Sequence, residues 1–514
     1  MLGFHRRTRS LIPVKDLAKY DKVPQVEEKE VEEEDVEVEM VAGAEMKERR
    51  RQLALVYVLF LAEAIMAASL QPQLQMLMAN DEFCGSLSTS YLRSIFDCAY
   101  AFGGSAGILW GYLSDRVGRR KVAVFGLWAM FACCSMMSFA DNIASCALFR
   151  FVSGVASSTV TVTALTMIGD LSLSTTERAK NVAYLPLVSL CGSIGPVVQG
   201  LISRSSDFSV FGAQIACGSF VFLIATTASI MLKETLPLPS DKPQDHFDCD
   251  PEKAAFLSSE PDSPSISVVE FVRPDPISIN QFLQAPSFLV LLASFSLLSL
   301  HASTFDMLLP HLGHSSTHSG GMGIPCDWLS LIVFVIRGVA AAAIVCTVSS
   351  AVDKYGLLKL YRFISAFFPA MYIITPVLAM LAAFATCFVP IISISSIIIK
   401  HTLTGGASVL VALLVLNTTP DAFSAGTVVG MMQVASLFRA LAVAVTGSSF
   451  YLSTDFSVAA TNYALWTCLA LFGVLGAALA WFVRERPSVE RDFPSEVLCW
   501  ETCFDATEGN ALSF

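Results

Sequence analysis

The amino-acid sequence contains a series of long apolar stretches, and this pattern constrains the fold more than any other feature. Each stretch has roughly twenty residues, the length that an α-helix needs to cross about 30 Å of membrane hydrocarbon. A helix also satisfies its own backbone hydrogen bonds, which water cannot satisfy inside a membrane. We therefore predict an all-α membrane protein with twelve transmembrane helices. The predicted spans are residues 53–77, 91–113, 122–140, 144–167, 182–202, 210–232, 287–309, 328–350, 360–382, 389–416, 425–450 and 458–483.

Composition agrees with a membrane-embedded chain and narrows the possible functions. Hydrophobic residues make up 54% of the sequence and charged residues only 15%, whereas about 25% of the residues in a soluble domain are charged. The chain has no G-x-x-x-x-G-K-S/T phosphate-binding loop and no recognisable catalytic group. We predict neither an enzyme nor a cofactor, and we expect no nucleic-acid partner.

Basic residues occur mainly in alternate loops, which predicts the orientation of the chain. They precede the first span and follow the second, fourth, eighth and last, and cytoplasmic loops are the ones that carry such residues. We expect a multi-pass protein of the plasma membrane or the vacuolar membrane with both termini cytoplasmic. The residues concerned are Lys47, Arg49, Arg50, Arg51, Arg116, Arg119, Arg120, Lys121, Arg178, Lys180, Lys354, Lys359, Arg484 and Arg486.

Changes in composition divide the chain into five parts. The acidic run EEKEVEEEDVEVEM lies in a first segment that we expect to be a disordered cytoplasmic tail. A stretch rich in Pro, Ser and Asp reads as a cytoplasmic linker between two bundles of six helices. The predicted parts are the tail 1–52, the first bundle 53–232, the linker 233–286, the second bundle 287–483 and the C-terminal tail 484–514.

The two bundles carry related motifs at equivalent places. DRVG at 115–118 follows the second span, and DKYG at 353–356 follows the eighth. SLCGSIGPVVQG at 189–200 lies in the fifth span, and SLFRALAVAVTG at 436–447 lies in the eleventh. Such marks indicate a repeat about an axis along the membrane normal, with a substrate site at the midplane between the halves.

The loop GYLSDRVGRRK at 111–121 resembles the signature loop of the major facilitator superfamily, G-x-L-x-D-R-x-G-R-R/K. LFRFVSG is similar to a second element of that family, R-x-x-Q-G, with Arg150 and Gly154 in place and Ser153 where Gln is common. The resemblance implies the major facilitator fold, alternating access and transport of a small molecule together with protons. The matching signature residues are Gly111, Leu113, Asp115, Arg116, Gly118, Arg119 and Arg120.

The fifth span resembles the Gly-Pro element of the drug:proton antiporters in this superfamily, through Gly192, Gly195, Pro196 and Gly200. LKETLP at 232–237, taken with the signature loop, is most similar to fungal members of that branch, including the zinc-induced-facilitator-like group. This resemblance implies a monomer in the lipid bilayer that exports a small organic compound in exchange for protons. The eleventh span has Arg439, Ala442, Val443 and Gly447 at the equivalent places, so we expect the bend only in the fifth.

The signature loop can act as a conformational clamp. Gly111 permits a close helix approach, and Asp115 can accept hydrogen bonds from Arg119 and from backbone donors of a helix in the other half. Asp353 is the equivalent residue of the second half. The alternative is that the basic residues only set topology, but topology requires neither the aspartate nor the glycines.

Charged residues inside a membrane are costly, so those in the spans are candidates for a proton or substrate pathway. We expect acids in the first half and bases in the second to line a cavity for a polar or anionic solute. Glu63 is the preferred proton carrier, because a carboxyl group inside a membrane can titrate near neutrality. Structural alternatives remain open: Arg439 could pair with a carbonyl or an acid, and Asp97 with Arg93 one turn earlier. The candidates are Glu63, Asp97, Arg150, Arg337, Lys400, His401 and Arg439.

The cysteines and histidines indicate no metal site. The 14 cysteines are scattered without ligand spacing, although Cys84 and Cys326 occupy equivalent places and could form an external disulfide. We predict that His301, His311, His314 and His318 belong to a flexible polar loop rather than to a metal centre. Two alternative functions also remain: uptake of a nutrient or metal chelate by proton symport, and a membrane sensor that transports nothing.

Overall fold

The structure is a computed structural model of the chain. It describes residues 26–69, 89–137, 139–140, 142–202, 210–236, 279–314, 322, 324–382, 388–419, 422–452 and 458–484. These residues are helical apart from short connections. Residues 53–514 form one compact unit, and residues 1–52 form another.

The described residues of the N-terminal half form eight helices. Two of them, α2 and α3, together cover the predicted second span, and α6 with α7 covers the fifth. The helices are α1 (Val26–Ala68), α2 (Thr89–Gly104), α3 (Gly107–Val117), α4 (Arg119–Met137), α5 (Ile143–Leu171), α6 (Thr175–Ala183), α7 (Leu185–Ile202) and α8 (Val210–Met231).

The C-terminal half repeats this organisation. A short helix, α9, precedes the first long one, and α14 with α15 covers the predicted eleventh span. The helices are α9 (Ile279–Gln284), α10 (Pro286–His314), α11 (Cys326–Tyr355), α12 (Leu357–Ala382), α13 (Phe388–Asn417), a 3₁₀ turn (Ala422–Ser424), α14 (Ala425–Met432), α15 (Val434–Leu452) and α16 (Val458–Phe482).

Each predicted span overlaps one helix or a pair of consecutive helices. Within the described residues, nine helices are long and apolar enough to cross a membrane, and Cys217–Met231 is a shorter apolar helix. The divided second and fifth spans lack a single long helix, so the number of twelve crossings stays a prediction. The all-α membrane fold itself is confirmed.

The structure differs from the sequence expectation at the N-terminus. Helix α1 begins at Val26, so residues 26–52, predicted to be a disordered tail, are helical. Glu, Lys, Arg and Met are good helix formers, and their spacing supports a helix. Glu48 accepts hydrogen bonds from Arg51 at 3.3 Å and from Gln52 at 2.9 Å, three and four residues along.

The contacts that matter most for function join the two halves. Helix α3 packs against α14, α2 against α15, and α11 against α6 and α7. These helices are the second, eleventh, eighth and fifth spans, which are the ones that carry the repeated motifs. The repeat therefore predicts the helices that form the boundary between the halves.

Candidate functional site

Glu63 is part of a polar network inside the N-terminal half. Its Oε1 accepts a hydrogen bond from the Ser157 hydroxyl at 3.1 Å and lies 3.3 Å from the Tyr100 hydroxyl. Tyr100 Oη and Ser157 Oγ lie 2.7 Å apart. These residues come from α1, α2 and α5. Both hydrogen bonds to Glu63 go to the same carboxylate oxygen, Oε1.

Arg439 comes from the other half and lies near this network. It lies on α15, its side chain is exposed, and it interacts electrostatically with Glu63. A charged group in a membrane-spanning helix is stable only when it faces water or a partner. The two residues therefore give the boundary between the halves one acid and one base.

Arg150 and Asp97, two other candidates of the first half, have structural partners. Arg150 is buried, donates a hydrogen bond to the Met66 carbonyl at 3.3 Å, and lies 4.5 Å from the centre of the Tyr100 ring. Asp97 pairs with Arg93 at 3.4 Å, as the structural alternative predicts. Within the described residues, Nε of Arg150 has no hydrogen-bond partner.

The C-terminal half contains a second charged cluster. Asp306 on α10 binds Lys400 of α13 through Oδ1 at 3.0 Å and Arg337 of α11 through Oδ2 at 3.5 Å. Lys400 is fully buried, and its Nζ lies 3.8 Å from the centre of the Phe305 ring. His401 is buried beside them and meets the same ring edge to face.

The expected separation of acids and bases between the halves is wrong. Asp306 is an acid in the second half, and Arg150 is a base in the first. A cation that leaves water requires a nearby anion, so each half contains charges of both signs. Asp306 was missed, although an acid inside an apolar span was the signal that could have found it.

Asp115 forms the predicted contact with a helix of the other half. Its fully buried carboxylate accepts hydrogen bonds from the backbone N–H of Gly426 at 2.8 Å and of Thr427 at 2.6 Å. The Thr427 hydroxyl donates to the same carboxylate at 2.7 Å. Both amides lie in the first turn of α14, where backbone donors are otherwise unsatisfied and the helix dipole favours an anion.

Glycines allow this approach. A Cβ at Gly430 would lie 2.7 Å from the Gly107 carbonyl oxygen, and one at Gly111 would lie 2.8 Å from Gly430 Cα. The backbones of α3 and α14 therefore touch. Gly118, which ends α3, has φ of 115°, a conformation that side chains rarely adopt.

The arginines of the signature loop form contacts within their own half. Buried Arg119 forms an ion pair with Asp170 of α5, and it also lies near enough to Asp115 to interact electrostatically. The Glu234 carboxylate accepts from the backbone N–H of Arg119 at 2.8 Å and of Arg120 at 3.1 Å, so it caps α4. Neither acid was predicted as part of the clamp.

Arg116 and Arg120 complete the loop. Arg116 is exposed and stacks over the Tyr112 ring at 4.4 Å, and the Arg120 guanidinium donates to the Ser229 carbonyl at 2.9 Å. Both contacts lie in the N-terminal half. Neither of them joins the two halves, which agrees with the alternative that these basic residues set the membrane topology.

Asp353 takes part in the equivalent contact of the second half. It lies at the end of α11 and accepts a hydrogen bond from the Thr176 hydroxyl of α6 at 3.1 Å. Arg178 of the same helix donates to the Asn417 side chain at 3.0 Å. The clamp residues of both halves thus bind a short helix of the opposite half.

The bend expected only in the fifth span stays a prediction, and the structure shows a helix break in each of the two equivalent spans. Helix α7 continues from Leu185 to Ile202 through Pro196, whereas helix breaks occur at Tyr184 and at Gln433, in the fifth and eleventh spans. Gly192 lies directly against Ala64 of α1. Gly195, Pro196 and Gly200 lie in α7, but their surroundings fall outside the described residues.

The predicted histidine loop is wrong for three of its four residues. His301, His311 and His314 lie in α10: His301 falls inside the predicted span 287–309, and the helix continues past the predicted end of that span to include the other two. His301 Nδ1 lies 2.6 Å from the Tyr372 hydroxyl. His318 and Cys84 lie outside the described residues, so the disulfide stays a prediction. The described residues hold no group of three or more His, Cys, Asp or Glu side chains that could bind a metal ion.

A helical membrane bundle with internal repeats, charged residues at the boundary of its halves and a clamp on that boundary defines a solute transporter. The chain belongs to the Major Facilitator Superfamily, whose family profile matches residues 53–444. It is a multi-pass integral membrane protein. The family resemblance drawn from the signature loop is confirmed.

Known proteins similar to this chain include transporters of fungal and human origin. The Major facilitator superfamily multidrug transporter mfsB of Aspergillus fumigatus is 21% identical over 457 residues, 74% of each chain. The human organic anion transporter MFSD10 (TETRAN) superposes with a TM-score of 0.62 at 16% identity, covering 84% of this chain and 99% of its own. The proton:xylose symporter XylE, bound to 6-bromo-6-deoxy-D-glucose, superposes with a TM-score of 0.59 at 16% identity, covering 85% of this chain and 96% of its own.

Proposed function

We propose that this protein exports a small polar organic compound in exchange for protons. The observation that carries the proposal is the Glu63 network, in which one carboxylate faces Tyr100 and Ser157 and interacts with Arg439 of the other half. The fungal relative mfsB, described as a multidrug transporter, supports export.

Competition between a proton and the solute at Glu63 would couple the transport of one to the transport of the other. An ionised Glu63 accepts a hydrogen-bond donor of the solute, while Arg439 binds a negative or strongly polar part of it. A protonated Glu63 loses its charge and binds that solute less well, so proton and solute bind alternately. Exchange follows if the carrier changes conformation only when one of them is bound.

The clamp contacts would determine on which side of the membrane the boundary between the two halves is open. Asp115 with α14 and Asp353 with α6 close one side of the boundary, and this is the cytoplasmic side if both termini are cytoplasmic. We also propose a monomer in the plasma membrane or the vacuolar membrane, with two six-helix bundles separated by the linker 233–286.

Reconstitution in vesicles tests the proposal. Compounds retained by cells that lack the protein identify the solute, which is then labelled and offered to vesicles with imposed pH gradients. Exchange predicts accumulation in vesicles that are acidic inside, whereas symport predicts accumulation in vesicles that are acidic outside. Neither result depends on the orientation of the inserted protein. Solute flux that does not depend on the pH gradient would reject proton coupling. Absence of any flux would favour the alternative of a membrane sensor that transports nothing.

Variants at Glu63 show whether this residue carries the coupling. We expect Glu63→Gln to transport independently of the pH gradient, because an amide mimics one protonation state, and Glu63→Asp to retain gradient dependence. A normal gradient response in Glu63→Gln would reject Glu63 as the proton carrier.

A further inference from the structure

Helix α13 carries a stripe of polar residues, and several of its polar groups take no part in the contacts described above. Ser396, Lys400 and Thr404 follow one another at a spacing of four, so they lie on one face of the helix, and His401 lies beside Lys400. Ser396 is 7% exposed, Lys400 0% and His401 9%. A transmembrane helix with this many buried polar groups needs partners for them.

Three of these groups lack a hydrogen-bond partner within the described residues: Ser396 Oγ, His401 Nε2 and Thr404 Oγ1. Such buried groups are rare in proteins, because each costs about 1–3 kcal/mol when it stays unpaired. Ser396 and Thr404 share one face of α13 and His401 lies beside it, which indicates that a polar molecule supplies the missing hydrogen-bond partners.

Other hydroxyl groups of the same helix behave differently. Thr402 donates to the Ile398 carbonyl at 2.9 Å, Ser395 to that of Ile391 at 2.8 Å, and Ser408 to that of Thr404 at 3.0 Å. This is the usual way in which a helix satisfies a hydroxyl group inside a membrane. Ser396 and Thr404 do not use it, so their hydroxyl groups remain available to a ligand.

The charges around the stripe favour an anion. Lys400 and Arg337 contribute two positive charges and Asp306 one negative charge, which leaves a net charge of +1. His401 interacts electrostatically with all three. The side chains of Arg337 and Asp306 are 50% and 38% exposed, and charged groups at this depth face a water-filled cavity rather than lipid.

We propose that this face of α13 is a subsite for the carboxylate group of an organic acid, bound by Lys400 and Arg337. Ser396, His401 and Thr404 bind hydroxyl or carbonyl oxygens next to that carboxylate. The carboxylate neutralises the excess charge, and Asp306 holds the two cations in place before it arrives. The subsite rests on the proposed function, because the bound acid is the transported compound, and it extends the solute site beyond Glu63 and Arg439.

Thiol labelling tests the subsite without knowledge of the natural solute. Thr404→Cys and, as a matched control, Thr402→Cys are treated in the full-length protein with anionic sulfonatoethyl methanethiosulfonate or cationic trimethylammonioethyl methanethiosulfonate. The labelled peptide is quantified by mass spectrometry. We expect Thr404→Cys to react with the anionic reagent about tenfold faster than with the cationic one, because the cations concentrate anions. Thr402→Cys should show no such preference.

Ligand protection identifies the chemistry. Benzoate and mandelate, which differ by the presence of a hydroxyl group beside the carboxylate, should slow labelling of Thr404→Cys, while benzyl alcohol and chloride should not. Adding Lys400→Met should remove both the anion preference and the protection. Protection by chloride as strong as that by benzoate would replace an organic-acid subsite with a general anion site.

Two outcomes would overturn the subsite. One is a Thr404→Cys thiol that neither reagent reaches, which would make this face ordinary helix packing. The other is equal labelling and equal protection at Thr404→Cys and Thr402→Cys. Neither result depends on proton coupling, so failure of the vesicle experiment and failure of the subsite are distinguishable.

Discussion

At the residue scale, the environment of each buried acid decides what that acid can do. Asp115 has three donors from one helix terminus, Asp306 has two cations, and Glu63 has two neutral hydroxyl groups and the electrostatic influence of Arg439. Donors and cations that hold an ionised carboxylate oppose its protonation, whereas neutral hydroxyl groups in an apolar setting do so less. Because its hydrogen-bond donors are neutral, we prefer Glu63 among the three as the proposed proton carrier.

Asp115→Asn should weaken the contact between α3 and α14. An amide keeps the size of the side chain but loses the charge that the N–H donors of Gly426 and Thr427 bind, and hydrogen bonds to a charged group are each worth about 1.5–3 kcal/mol. We expect normal membrane insertion and transport about tenfold slower, measured as initial flux per inserted molecule. Asp353→Asn, which loses the charge that strengthens one exposed hydrogen bond, should have a smaller effect. Equal flux in the wild type and in Asp115→Asn would contradict the clamp.

Residues with a local signature were the predictable part of the site. Asp115 lies in a motif, and the motif implies a facing helix whose terminus supplies donors. Arg93 and Asp97 are one turn apart, so their pairing follows from helix geometry. The partners Asp170, Glu234 and Asp306 depend on helices that are distant in the sequence, and no local pattern specifies which helix faces which.

At the element scale, glycines set how closely the halves meet. Gly107 and Gly111 of α3 lie against α14. Side chains at Gly111, Gly426 and Gly430 would overlap the opposite backbone, and one at Gly107 would overlap the Gln433 side chain. Small residues permit such close packing where lipid offers no hydrophobic driving force. The helix breaks at Tyr184 and Gln433 were not predicted, although Pro186 follows the first break by two residues and was the signal that could have marked it.

Gly430→Ala should separate α3 from α14. The added methyl group meets the Gly107 carbonyl oxygen and Gly111 Cα, both backbone atoms that cannot move aside, and overpacking of this kind typically costs about 1–3 kcal/mol. We expect a thiol at Ser114, a fully buried position on α3, to become reactive toward a membrane-impermeant reagent. The measurement compares Ser114→Cys alone with Ser114→Cys combined with Gly430→Ala.

Gly218→Ala provides the matched control, because its methyl group would lie 3.8 Å from Cys134 Cβ, an ordinary contact. Ser114→Cys should stay protected in that background. If Gly430→Ala leaves the thiol equally protected, the two helices do not depend on the glycine contact.

At the scale of the whole molecule, the two halves exchange equivalent contacts. The end of α3 binds the start of α14 through Asp115, and the end of α11 binds the start of α6 through Asp353. The first contact is buried and has three hydrogen bonds, whereas the second is exposed and has one. The sequence repeat predicts the symmetry of these contacts, but their unequal strength depends on burial, which the repeated motifs do not encode.

Arg439 tests whether the solute contacts both halves at once. It is the exposed cation of α15 that interacts with Glu63 across the boundary. We expect a solute bound between the two halves to contact both residues. Arg439→Ala removes the charge and should raise the half-saturating solute concentration about tenfold or more, which corresponds to about 1.4 kcal/mol of binding free energy. Arg439→Lys keeps the charge but loses the planar guanidinium, and should raise that concentration less. Both variants are measured in vesicles acidic inside, with solute concentration varied at a fixed gradient, and the maximal rate should change less than the half-saturating concentration. If both substitutions leave solute binding unchanged, Arg439 is not part of the site, and the proposed competition between proton and solute at the boundary loses its basic partner.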